Sequence, residues 1–154
     1  MSEISEKDIY AGFWLRLFAW IIDKIFLIGV NFVVVLFFGL ISGIISGITG
    51  LDLVFLFQSN EFKIFLIIID IGIAWAYYTL MESSSKQATL GKMILNLKVT
   101  DLEKKPISFE QASARFLGKI LSGMTLGIGF LMIAFTEKKQ GLHDILAGCL
   151  VIKE

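Results

Sequence analysis

The sequence predicts an all-α integral membrane protein with two full transmembrane helices, a re-entrant or tilted helical hairpin, and a small cytoplasmic β-sheet. Three observations predict it. Hydrophobic residues make up 56 % of the 154, and mean hydropathy is +0.78, above the roughly 45–50 % apolar content of a soluble domain. Two apolar runs, 12 to about 41 and 62–81, each reach the roughly 20 residues that cross a bilayer core. A third apolar stretch, about 109–136, is interrupted by the glycine-rich "GMTLGIG".

The elements follow in order. The first ten residues, MSEISEKDIY, hold three acids and one base, a poor start for a secretory signal, so the first run is read as a retained helix. Gly39, Gly43, Gly47 and Gly50 punctuate "GLISGIISGITG", and the helix is expected to end within it. The first three also have the spacing of a close helix–helix contact. Residues 51–61 are expected as a loop. In the second run Trp75, Tyr77 and Tyr78 crowd the end, as interfacial aromatics do. "TLGKMIL", 89–95, is too short to span and predicts an interfacial turn or two of helix. Leu97 and Val99 alternate with polar neighbours, which predicts a β-hairpin around "LEKK" with Pro106 beside the turn. Ser108 is a candidate N-cap for the third apolar stretch. The tail, 137–154, predicts a short amphipathic helix near 141–147 and a final strand, "CLVIK".

Flanking lysines and arginines set the orientation. None lies between 42 and 62, whereas 82–115 holds Lys86, Lys92, Lys98, Lys104, Lys105 and Arg115. The segment 82–107 and both termini are therefore expected on the cytoplasmic side. The tail is basic too, through Lys138, Lys139 and Lys153. A single span through 109–136 would carry it outside. A hairpin bent at "GMTLGIG" returns it to the cytoplasm, provided the bend is shielded from lipid, and lets "CLVIK" pair with "NLKVT".

Composition excludes several classes. Formal net charge is zero with one histidine, so nothing suggests nucleic-acid binding. The lone Cys149 has no disulfide partner, and metal-ligand spacings are absent. No nucleophile–base pair or phosphate-binding loop stands out, so neither an enzyme nor a cofactor is expected.

An Arg at the start of the first helix, an Asp seven residues on, and "QGLHD" in the tail resemble the RDD family of bacterial membrane proteins. The family's arginine and two aspartates would be Arg16, Asp23 and Asp144. Glu82, Gln87, Thr89, Gly91 and Lys92 in "MESSSKQATLGK", with His143, are supporting matches. Here the family's glycine-glutamine-threonine-x-glycine-lysine phrase is altered: its first glycine is replaced by Lys86, and Ala88 is inserted, while "TLGK" is intact. The resemblance covers residues 11–152. It implies a multi-pass protein of the bacterial inner membrane and a transporter, with Na+/H+ exchange among the activities attached to the family.

Read physically, Arg16 lies about one turn inside the cytoplasmic boundary, where it can snorkel to the headgroups or pair with Asp144 and dock the tail. Asp23 is deeper, roughly 15 Å from the start of its run. Asp70 stands at a similar depth, so the two acids are expected to face each other, with Asn31 two turns beyond Asp23. Two facing carboxylates in low dielectric share a proton or hold a cation, and oxygen ligands suit Na+. Two function classes follow. One is a small secondary transporter exchanging H+ and Na+ through Asp23, Asp70 and Asn31, working as a homo-oligomer because two spans are too few to enclose a pathway. The other is a non-transporting adaptor or assembly module that uses its cytoplasmic face and membrane lipid, its charges only fixing the fold.

Overall fold

A computed structural model describes residues 9–51 and 59–154. The chain divides into two compact units. One joins the chain up to Asp23 with Trp75–Glu154; the other is Lys24–Ala74. Among the described residues the elements are α1 (Phe13–Thr49), α2 (Asn60–Glu82), α3 (Leu90–Ile94), β1 (Leu97–Asp101), α4 (Phe109–Met124), α5 (Ile128–Phe135), α6 (Leu142–Leu146) and β2 (Cys149–Lys153).

Both α1 and α2 are long and apolar enough to cross a membrane. The 37 residues of α1 give roughly 55 Å of helix at 1.5 Å per residue, well beyond a hydrocarbon core of about 30 Å. The helix runs through Gly39, Gly43 and Gly47 and stops before Gly50, whose φ of +71° ends it. It ends within the glycine-punctuated stretch, as expected, eight residues past the end of the apolar run near 41. Most of the expected loop at 51–61 lies outside the described residues. Ser59 directly precedes α2, its hydroxyl accepting from the Phe62 amide at 3.1 Å.

The third apolar stretch is two helices set at 104° to each other. Ser108 caps α4 in a full capping box with Gln111. Leu126 and Gly127 then take positive φ, +53° and +82°, which stops α4 and turns the chain into α5. The arms, roughly 24 and 12 Å long, are each too short to cross. They meet nearer to a right angle than to a folded-back hairpin.

In the larger unit β1 and β2 pair antiparallel, with Val99 opposite Val151 and Leu97 opposite Lys153. The expected partnership of "NLKVT" and "CLVIK" is thereby present. The hairpin around "LEKK" is not: the return strand makes one bridge only, Thr100 to Pro106. Pro106 has no amide to extend a ladder. The Asp101 carboxylate instead collars the turn, accepting from the Glu103 and Lys105 amides at 2.8 Å each. Both outer edges of the sheet are occupied. Ala11 N donates to Val151 O at 2.9 Å beside β2, and beside β1 Val99 N donates to Gln87 O at 2.7 Å. Leu97, Val99, Cys149 and Val151 from the sheet pack with Ala11, Ala19, Ile107, Ala112 and Ala147 into one core. Cys149 is buried there as a small apolar side chain.

Candidate functional site

Charges gather on one side of this core, and five of them form a continuous buried chain. Arg16, on the first turn of α1, is ion-paired through Nη1 with Asp144 Oδ2. Its Nε donates to Ala11 O at 2.9 Å and its Nη2 to Lys139 O, so every face of the guanidinium is used. Asp144 sits at N3 of α6, where its Oδ2 also accepts from the Gly141 amide at 3.1 Å. Its other oxygen, Oδ1, accepts from Arg115 Nε at 2.8 Å and Nη2 at 2.7 Å. Arg115 then turns its Nη1 to Glu82 Oε2 at 2.6 Å. Glu82 closes the chain by pairing through Oε1 with Lys92, and with the largely buried Lys119 at 3.3 Å. Arg115 is 2 % exposed, and Glu82 and Asp144 are 1 % and 0 %.

Buried ions are costly unless each is paired and hydrogen-bonded, and this network meets that condition for its two carboxylates. Burial pushes the Asp144 carboxyl upward, but Arg115 and then Arg16 override it and hold the group far below the carboxylate range. Burial draws Lys92 down from the usual lysine value, against the pull of Glu82. His143 is pushed down to about 3, chiefly by burial, although Asp144 attracts its charged form. It is therefore neutral at neutral pH. It stands 3.4 Å from Ser122 Oγ, with its ring 5.2 Å from that of Phe130. Gly118 of α4 backs directly onto it: a Cβ there would come within 2.9 Å of His143 Cα. His143 packs between α4, α5 and α6, with its Nε2 3.4 Å from Asp144 Oδ1.

Asp23 forms a separate node. Its Oδ1 accepts from the Gly91 amide at 2.7 Å and the Tyr77 hydroxyl at 2.8 Å, and its Oδ2 from Thr89 Oγ1 at 2.6 Å. Tyr77 is held in turn by the Leu90 amide at 3.0 Å. These partners explain "TLGK" residue by residue. Thr89 and Gly91 supply donors to Asp23. Gly91 also brings α3 against α1, where a Cβ would lie 2.0 Å from Ala19 O. Lys92 serves Glu82. Gln87, at φ +53°, binds β1 through its carbonyl and donates its side-chain amide to Val99 O at 3.3 Å. The aromatics belong to the site as well: besides Tyr77, the Tyr78 ring lies 4.1 Å beneath the Lys119 ammonium.

The predicted residues thus divide. Arg16, Asp23, Glu82, Gln87, Thr89, Gly91, Lys92, His143 and Asp144 fall in one unit, and the expected Arg16–Asp144 pair is formed. Asp70 and Asn31 belong to the other. Asp70 is exposed on α2, and Asn31 Oδ1 is buried without a hydrogen-bond partner among the described residues. The expectation that Asp23 takes a second carboxylate as its partner is corrected: its partners are two hydroxyls and an amide. Tyr77 is seven residues beyond Asp70 on α2, on nearly the same face and roughly 10 Å along. Arg115 and Lys119 were missed. Their signal was available, because Ala112, Arg115, Gly118 and Ser122 form the buried stripe of α4, with a charge set among small residues.

The family model described as "RDD family" matches residues 10–148. The chain belongs to the RDD family. Among curated proteins it is 35 % identical to the "Uncharacterized protein YxaI" of Bacillus subtilis (strain 168), over 92 % of this chain and 96 % of that one. It is 30 % identical to the "Uncharacterized membrane protein YteJ" of the same organism, over 94 % and 82 %. A shorter match, 43 % identical over 70 residues, is to the "Uncharacterized protein RP437" of Rickettsia prowazekii (strain Madrid E), covering 44 % of this chain and 38 % of that one. No solved structure matches.

Proposed function

We infer that this RDD-family membrane protein is an assembly module of the bacterial inner membrane, in which the signature charges hold a folded head and are not carriers. One observation carries this reading. Arg16, Asp23 and Asp144 are each buried and fully engaged by neighbours of the same unit. A cleft of about 330 Å³ in that unit is lined by none of them. Lysine distribution supports cytoplasmic termini. Self-association is supported by α1, where Gly39, Gly43 and Gly47 share a face and have open space beside them, the condition for close approach of a second helix.

A second reading, H+/Na+ exchange, is favoured by the oxygen-rich surroundings of Asp23. Its carboxylate, Thr89 and Tyr77 are the hard ligands that a small cation takes. Proteoliposomes holding a pH-sensitive dye separate the two readings. The assembly reading expects no Na+-, K+- or Li+-driven proton movement in the wild type, and a defined oligomer in nanodiscs that Gly43→Leu disperses. A Na+-dependent signal that Asp23→Asn abolishes in folded protein would overturn it in favour of exchange.

A further inference from the structure

We propose that the cleft between the turn that follows α2 and the start of β1 binds the phosphate headgroup of an anionic phospholipid. The cleft is lined by Ser85, Lys86, Ala88, Met93, Asn96, Leu97, Lys98 and Glu154, with a volume of about 330 Å³. None of the signature charges enters it, and its polar groups have no part in the buried network.

Position argues for a lipid. The spanning helix α2 ends at Glu82, so Ser85 and Lys86 lie just past the hydrocarbon boundary. Headgroups fill the next ~5–7 Å on each side of the bilayer. Chemistry agrees. Lys98 is neutralised by Glu154 at 2.6 Å, whereas exposed Lys86 has no ion-pair partner among the described residues. The side chains of Ser85 and Asn96 likewise make no hydrogen bond there in which they donate. A phosphate against Lys86 is met by a cation and two uncharged donors. Continuity completes the case. Met93 lines the cleft, and next to it Ile94 is 65 % exposed on α3. An apolar ledge thus leads from the polar cleft, as the glycerol and acyl chains of the same lipid require. A lysine near an anionic surface contributes about 1 kcal/mol, which sets the modest scale of the effect.

The test is native mass spectrometry of the full chain in detergent with equal amounts of phosphatidylglycerol and phosphatidylcholine. The wild type is expected to retain phosphatidylglycerol several-fold more. Lys86→Gln should bring the ratio near one, while Lys104→Gln, an equal loss of charge in the exposed turn after β1, should leave it unchanged. Equal retention of both lipids by the wild type overturns the proposal. So does an equal effect of the two variants, which would reduce the preference to overall charge. Loss of the preference in excess inorganic phosphate would assign the cleft to a soluble phosphate instead. Both lysines are exposed, so neither variant threatens the fold.

Discussion

The two units of this chain solve opposite problems. In the unit of Trp75–Glu154 with the start of α1, charges are buried and the chain supplies every partner: Arg16, Arg115 and Lys92 against Asp144 and Glu82. In Lys24–Ala74 the apolar side chains are turned outward. Ile28, Phe32, Leu40, Ile64 and Ile68 are each more than half exposed, and Asn31 has a buried oxygen without a described partner. Apolar side chains are exposed in the first unit as well, among them Trp14, Ile94, Met124, Leu126 and Phe135. What separates the two units is the buried ion network, which only the first contains among the described residues.

The contrast breaks first at Arg115. Arg115→Met keeps the bulk but leaves Glu82 and Asp144 each short of a buried partner, a loss of about 3–5 kcal/mol. The expected result is collapse of the monodisperse peak in detergent chromatography, or a large fall in melting temperature. Retention of wild-type stability would mean that the network is ornamental. Gly91→Ala comes next. Its methyl would lie 2.0 Å from Ala19 O, and overpacking of this kind costs about 1–3 kcal/mol, again read as melting temperature.

A pH series sharpens the comparison further. His143 has a folded pKa of about 3 against an ordinary 6.5. Between those values the unfolded chain holds a proton that the folded one refuses, so stability rises with pH there. It should fall by up to about 1.4 kcal/mol per unit as pH drops below 6.5, and be independent of His143 above it. His143→Gln should flatten the wild-type slope between pH 6.5 and 4.5; an unchanged slope would place the titration elsewhere. The smallest effect is expected in the other unit. Asp70→Asn removes a charge with no described partner, and the monomer's stability should change by less than about 0.5 kcal/mol.

Much of this was legible in the sequence. A charge inside an apolar run needs a partner, and that rule, together with the family resemblance that singled out Asp144, pointed Arg16 toward it across 128 positions. The helix break at "GMTLGIG", the Ser108 cap and the final strand were also readable, because glycine spacing, capping chemistry and alternation are local signals. Partner choice was less so. Asp23 was matched by depth with Asp70, but a count of turns along two helices does not say which side chains meet a carboxylate, and its partners came from Tyr77 and from the "TLGK" segment. Thr89 and Gly91 were noticed as a phrase, yet nothing local reveals that a short interfacial helix caps a carboxylate 66 and 68 residues earlier. Arg115 was counted as a surface positive charge that fixes orientation, when its place in a stripe of small residues marked it as buried. The hairpin around "LEKK" failed for a local reason: Pro106 and the Asp101 collar leave room for one bridge only.

The central claim, that the signature charges are mutual structural partners, is tested most directly by a double-mutant cycle in nanodiscs of fixed composition. Stabilities of the wild type, Arg16→Gln, Asp144→Asn and the double variant would be compared. The account predicts a coupling of about 1–3 kcal/mol, the double variant losing less than the two singles together. Effects that add to within about 0.5 kcal/mol would show that Arg16 and Asp144 act independently, and would contradict it.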